Sequence, residues 1–354
     1  MPLRRHGETA AQKAAKTKGS KATTNHHPAR RHGSARPTKT AAIATREIPQ
    51  GVDSADIKVG AETVHLTNLR KVFWPESGIT KGALLQFYLD IAPVLLPHLV
   101  DRAMVMKRYP NGIAGPFFFM KRAPTPRPAW IDTCDIEHVS GNVIDFPIIR
   151  DLASLLWVIN LGCIDLNPWY ARCDDVDRPD YLHFDLDPVK GATWAQIVET
   201  AAVLHAALDQ LKLPSFLKTT GSRGCHIYVP IMRGPTQKEV WTVAKQMAIT
   251  LAKLRPDLIT AEYRIDKRPA KRVLVDYNQN AWGRTLASVY SVRPHPRACV
   301  SAPITWKELE QGIHIEDLRL DNMPARVKKR GDLWAGLLKP EKRARLETLY
   351  HVAD

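Results

Sequence analysis

Residues 181–187, Tyr-Leu-His-Phe-Asp-Leu-Asp, alternate strictly between apolar and polar side chains. A period of two is the signature of a β-strand with one buried face. Leu182, Phe184 and Leu186 fall on one face, and His183, Asp185 and Asp187 on the other. The apolar face anchors the strand, so whatever the acidic face does is built on a rigid element. Asp185 and Asp187 project side by side, and neighbouring carboxylates repel unless a cation lies between them. Oxygen ligands alone suit Mg²⁺ or Mn²⁺. The plainer alternative is a pair of surface aspartates at a strand end, before the turn at Pro188.

The flanking sequence predicts a mixture of strands and helices. Ile197, Ala201, Leu204, Leu208 and Leu211 form a helical stripe over 193–211, with Pro214 as a stop. Thr236 and Glu239 have capping-box spacing and open a helix carrying Val240, Ala244, Met247, Leu251 and Leu254. Residues 226–231, 272–277 and 287–293 read as further strands. The elements do not alternate regularly, so the expected class is α+β, not a doubly wound sheet. Ordered structure is expected to begin near Val52.

Other residue groups bear on chemistry. Lys218-Thr-Thr-Gly-Ser-Arg-Gly-Cys-His226 is a glycine-containing loop that lacks the Walker A pattern. It is expected to leave backbone N–H groups free for phosphate oxygens, with Arg223 as a charged donor. Its plainer reading is a flexible hairpin loop. Asp276 closes an apolar run and joins Asp185 and Asp187 as a candidate third carboxylate, able to hold two divalent ions for phosphoryl transfer. Upstream, Lys71 and Lys81 flank a Trp-Pro-Glu-Ser-Gly turn, and Lys107 and Arg108 end a short strand. Phe117, Phe118 and Phe119 precede Lys121 and Arg122, a combination suited to stacking on bases and gripping backbone phosphates.

Charge is unevenly distributed. The chain has 51 Lys and Arg against 36 Asp and Glu, a net +15 over 354 residues. Residues 1–40 hold ten of those cations and one acid, Glu8, with few bulky apolar side chains. Residues 1–50 therefore read as a disordered basic arm that adheres to polyanions, or else as a solubilising or targeting tail. Residues 51–335 read as the catalytic domain and 336–354 as a C-terminal helix. Five scattered cysteines without a CxxC pair argue against a disulfide framework and a zinc site, and suit a reducing compartment. No apolar run is long enough to predict a membrane span.

The motifs and their order resemble the polymerase domain of bacterial ATP-dependent DNA ligase D, within the archaeo-eukaryotic primase superfamily. The resemblance rests on Phe184-Asp-Leu-Asp187, Gly224-Cys-His226 and Val275-Asp276, and on longer flanks. These include Lys71-Val-Phe-Trp-Pro-Glu-Ser-Gly-Ile-Thr-Lys81, Leu161-Gly-Cys-Ile, Asn167-Pro-Trp, Thr219-Thr-Gly-Ser-Arg-Gly, Tyr290-Ser-Val-Arg293 and Pro303-Ile-Thr-Trp306. It runs from about Val64 to Leu309. It implies a primase-like α+β core in which Asp185, Asp187 and Asp276 hold two Mn²⁺ or Mg²⁺ ions. Thr220, Arg223, His226 and Arg293 would contact a nucleoside triphosphate. Lys71 and Lys81 would grip a 5′-phosphate in gapped DNA, with Phe118 and Phe119 stacking on bases beside Lys107 and Arg108. Asn167 stands where the family pattern has His, so no titrating role is expected there.

The implied activity is template-dependent nucleotide addition at gaps or broken ends during end joining, with a leaning toward ribonucleotides. No ligase-type Lys-x-Asp-Gly motif occurs, which points to a stand-alone polymerase working with a separate ligase and Ku in the bacterial cytoplasm, on the nucleoid. Two other classes fit some of the same residues: a non-catalytic DNA-end bridging protein and a metal-dependent nuclease.

Overall fold

The computed structural model describes residues 47–138 and 141–347. The arm expected at 1–50 lies outside the described residues except for its last four. Those four correct the expected boundary. Ile48 is buried, and its N–H donates to Gln86 Oε1 at 2.7 Å, so the chain joins the fold before Val52.

Two hairpins open the described chain: β1 (Ser54–Val59) with β2 (Glu62–Thr67), and β3 (Val72–Trp74) with β4 (Ile79–Thr80). Thr80 then caps α1 (Lys81–Leu99), its hydroxyl accepting from the Ala83 N–H. By length and composition α1 is apolar enough to cross a membrane, but Leu84, Leu85, Tyr88, Ile91 and Leu95 are buried in the protein core. Next come β5 (Met104–Arg108), β6 (Phe118–Met120), and the hairpin of β7 (Thr133–Glu137) and β8 (Val143–Pro147). The helix α2 (Leu152–Asn160) leads into β9 (Cys163–Pro168), and β5 lies between β6 and β9 in a three-stranded sheet.

The second half builds a six-stranded sheet from β10 (Tyr181–Pro188), β11 (Phe216–Thr219), β12 (Cys225–Pro230), β13 (Ile259–Thr260), β14 (Val273–Asp276) and β15 (Pro303–Ile304). The order is β13-β14-β10-β12-β11-β15, and only β13 and β14 run parallel. α3 (Trp194–Gln210) and α4 (Gln237–Leu254) start at the capping boxes of Thr193 and Thr236 and pack against this sheet. Leu182, Phe184 and Leu186 beneath them are fully buried. Burial of such side chains stabilises by about 1.5–3 kcal/mol each. The closing elements are α5 (Trp306–Glu310) and α6 (Met323–Arg330). Helices and mixed sheets together give the expected α+β class.

Four expectations are corrected. The strand β10 is covered on both faces: His183 is 1% exposed and Asp185 7%. The rings of Tyr170 and Tyr228 each lie 5.2 Å from that of His183, which closes the polar face. Residues 287–293 are not a strand. Tyr290 has φ +62°, and the segment bridges the two sheets: Ser288 N–H donates to Leu166 O, and Tyr290 N–H to Ser301 O. Cys134 and Cys173 form a disulfide, with Cα atoms 5.8 Å apart. Their separation of 39 residues gives no local signal: Cys134 lies in β7 and Cys173 beyond β9. Finally, the described part of 336–354 contains short 3₁₀ turns, among them those ending at Leu338 and Lys342, and no α-helix. Pro340 supplies no N–H to continue a helix.

Candidate active site

Antiparallel pairing brings the acidic residues together. Asp185 on β10 is the direct register partner of Asp276 on β14 and, on its other side, of His226 on β12. Opposed positions in such pairs have Cβ atoms about 4.5–5.5 Å apart. Asp187 follows on the same face of β10. The central strand thus collects three carboxyls from positions 91 residues apart (185 to 276).

The electrostatics record the crowding. Burial, and then the charge of Asp276, push the Asp185 carboxyl up to about 7. The charge of Asp185, and then burial, push Asp187 up to about 7 as well. Asp185 Oδ1 is buried without a hydrogen-bond partner, although His226 Nε2 stands 3.2 Å away. Asp276 is held by its own turn: Oδ1 accepts from the Asn278 N–H at 2.8 Å and Oδ2 from Gln279 Nε2 at 3.1 Å. Among the described residues, no group of three or more His, Cys, Asp or Glu side chains is already placed to hold a metal ion. The donor set nevertheless fits a hard divalent cation: oxygen ligands, mutual repulsion and an orphaned buried carboxylate oxygen.

The loop between β11 and β12 sits against this centre. Gly224 lies so close to β10 that a Cβ there would stand 1.9 Å from Leu186 O. Gly221 has φ +65°, and its Cβ would meet Arg293 Cγ and Val300 C at 2.7 Å. The expectation of free N–H groups is corrected here. Thr220 Oγ1 accepts from the N–H groups of Ser222, Arg223 and Gly224, each at 3.1 Å, so they brace the loop itself. Arg223 at the tip is exposed, and its charge is felt at both Asp185 and Asp187. Arg293 ties the loop to the other sheet: one guanidinium nitrogen donates to Thr220 O at 2.7 Å, and Nε lies 3.2 Å from Asp165 Oδ2.

Asp165 is a buried acid that sequence reading missed, because its strand Cys163–Pro168 is buried on both faces and shows no alternation. It aligns across the smaller sheet with Lys107, which aligns in turn with Phe119. A continuous path therefore runs from an exposed aromatic edge to the loop. Phe117, Phe118 and Phe119 are all exposed. Lys107 Nζ lies 4.2 Å from the Phe117 ring centre, and the Arg108 guanidinium 5.2 Å from that of Phe118. Asn167 is buried and donates from Nδ2 to Asp165 O at 3.0 Å, a bracing contact.

A second cationic group gathers near α1. Lys81 is buried and donates from Nζ to Thr67 O at 2.6 Å, while Lys71 Nζ donates to Asn111 Oδ1 at 2.7 Å. Burial, then the charges of Lys71 and Arg108, bring Lys81 down to about 8. A buried amine under the charges of two neighbouring cations marks a place suited to an anion.

Residues 80–334 match the family described as LigD, primase-polymerase domain. The multifunctional non-homologous end joining protein LigD of Mycolicibacterium smegmatis is 34% identical over 278 residues, covering 78% of this chain and 36% of that protein. The bifunctional non-homologous end joining protein LigD of Bacillus subtilis is 28% identical over 272 residues, 76% of this chain and 43% of its own. The chain thus spans well under half the length of these relatives. A solved structure of the polymerase domain from Mycobacterium tuberculosis ligase D in complex with DNA superimposes with a TM-score of 0.73 at 30% identity, over 78% of this chain and 98% of the other. A match of this extent, in sequence and in fold alike, means that the chain belongs to the LigD primase-polymerase domain family.

Proposed function

We propose that this chain is a template-dependent nucleotidyltransferase that extends a primer 3′-end at gaps or broken ends of DNA in end joining, with a preference for ribonucleotides. The observation that carries the reading is the pairing of Asp185 with Asp276, beside Asp187 and the Arg223 loop. Three crowded carboxyls with an orphaned oxygen call for cations, and an adjacent exposed arginine calls for an anion. Asp185, Asp187 and Asp276 would hold two Mn²⁺ or Mg²⁺ ions. Such ions lower the pKa of a primer hydroxyl and neutralise the departing pyrophosphate.

The chain's own residues do the rest. Arg223 and His226 bind triphosphate oxygens, while Thr220 and Arg293 hold the loop that presents them. Phe118 and Phe119 stack on bases, with Lys107 and Arg108 drawing in the backbone. Lys71 and Lys81 hold a 5′-phosphate at the far side of the gap; Lys81 acts from beneath, since its amine is turned toward the Thr67 carbonyl. Ku and a DNA ligase activity are the expected partners, in the bacterial cytoplasm on the nucleoid.

The test is nucleotide incorporation into a one-nucleotide gap, comparing ribo- with deoxyribonucleotides and a 5′-phosphorylated with an unphosphorylated downstream strand. Faster ribonucleotide addition on the phosphorylated gap supports the reading. No templated addition in any arm, with Mn²⁺ present, contradicts it. Cleavage of the duplex without nucleotides would favour a nuclease instead.

A further inference from the structure

The acidic centre has two unlike sides. The strand order β14-β10-β12-β11 puts the Arg223 loop on one side of β10 and the turn after Asp276 on the other. Nucleotidyl transfer runs in line, with the attacking and leaving oxygens on opposite sides of the phosphorus. With a triphosphate on the Arg223 loop, pyrophosphate departs toward β12. The attacking 3′-hydroxyl then arrives from the side of β14, and the residues there meet the end of the primer.

Residues 277–284 occupy that side, and their neighbours hold them in place. Trp241 Nε1 donates to Asn278 Oδ1 at 3.2 Å. The side chain of Asn280 takes the place of the next rung of β14: Oδ1 accepts from the His183 N–H at 3.0 Å, and Nδ2 donates to His183 O at 2.7 Å. The Tyr170 hydroxyl donates to Asn280 O. Arg284 N–H donates to Ala281 O at 3.1 Å, closing a further turn that contains Trp282.

Trp282 is 41% exposed in this braced segment, and no step above uses it. Its ring centre lies 5.5 Å from that of Trp169, at an interplanar angle of 89°. Trp169 is itself buried just after β9 and packs on Phe146 at 5.8 Å. A perpendicular contact covers at most one face of an indole, so another face can meet a planar group. Arg284, exposed in the same turn, adds a cation for a backbone phosphate. A fixed aromatic face with a nearby cation in sequence is what stacking on a nucleic-acid base requires.

We propose that Trp282 is a stacking platform for the base at the primer 3′-end, on the side of the acidic centre opposite the triphosphate loop. The identity of the base as the primer's rests on the polymerase reading; the open face and its mounting rest on the turn alone. Stacking there holds the terminal nucleotide, and with it the 3′-hydroxyl, against the Asp276 side of the centre.

The experiment uses the full chain and a gapped duplex whose primer ends in 5-iododeoxyuridine, a base that photocrosslinks to an aromatic ring stacked on it. Peptide mapping of the native protein should place the crosslink on Trp282, and moving the label to the downstream strand should abolish that product. Trp282→Ala should raise KM for gapped duplex about tenfold, with ATP affinity unchanged, and Trp282→Phe should recover most of the loss. A primer-end crosslink that maps elsewhere in a native protein that adds nucleotides overturns the proposal and leaves the polymerase reading standing. Native KM for duplex in a folded Trp282→Ala overturns it as well. Should the alanine variant not fold, the native crosslink and the phenylalanine variant still decide. A native protein that crosslinks at Trp282 but adds no nucleotide contradicts the polymerase reading and leaves the stacking contact intact.

Discussion

Asp185 and Asp187 are costly residues for this fold. Each raised carboxyl keeps a proton in the folded protein at pH values where the unfolded chain has lost it, the ordinary value being 3.8 and the folded one about 7. Stability of the metal-free protein therefore falls as pH rises from about 4 to about 7 on account of this pair. Asp185→Asn should flatten that fall and raise the melting temperature at pH 7.5, while reducing nucleotide incorporation at least about 100-fold. Melting curves of both proteins across this range check it; a variant less stable than the native protein at pH 7.5 would contradict the repulsion. Mn²⁺ should raise the native melting temperature more at pH 7.5 than at pH 5.5, since protons and cations compete for the same oxygens.

The exposed aromatics behave oppositely. Replacing Phe118 and Phe119 by Ala should change stability by no more than about 0.5 kcal/mol. It should weaken single-strand binding by about 1–3 kcal/mol for each base left unstacked. Denaturant melts and binding isotherms separate the two effects. These residues, like the Asp-Leu-Asp pair, were legible because their pattern is local. Asp165 was not, because a buried polar residue is explained by partners far away in sequence.

At the scale of elements, the hairpin loop is fixed by steric contact more than by charge. Gly224→Ala would place a methyl against the Leu186 carbonyl, so β10 and the loop must separate. The expected cost is about 1–3 kcal/mol, with loss of nucleotide binding before loss of fold. Equilibrium unfolding and ATP titration of this variant give the two numbers. The glycine-bearing loop was visible in the sequence, but the use of its N–H groups was not, since that depends on the Thr220 rotamer. The helices over 193–211 and from Thr236 were readable because cap and stripe agree. Residues 287–293 misled for a related reason. Their composition favours a strand, but Val292 N–H donates to the Tyr88 hydroxyl and Ser291 Oγ accepts from Leu166 N–H, and those long-range bonds replace a ladder.

For the whole molecule, the basic segment 1–40 and the folded domain are expected to contribute separably to DNA binding. Each phosphate contact supplies a slope of about 0.7–0.9 in log affinity against log salt. Removing residues 1–45 should therefore flatten the salt dependence of DNA binding while leaving incorporation on a short gapped duplex intact; an unchanged slope would show that the arm does not touch DNA. The α+β class was legible from the irregular mixture of strand and helix patterns. The two-sheet arrangement, joined through Arg293, Asp165 and Ser288, was not, because nothing local marks a contact between sheets.

The central claim is that three carboxyls, two on β10 and one on β14, act as one cation-holding group for nucleotidyl transfer. Asp276 is the member contributed by a different strand, so it tests the assembly most directly. Single-turnover addition of a ribonucleotide to a 5′-phosphorylated gap, with Mn²⁺ and saturating DNA, should be at least about 100-fold slower in a folded Asp276→Asn than in the native protein. Equal rates in the two proteins would contradict the account.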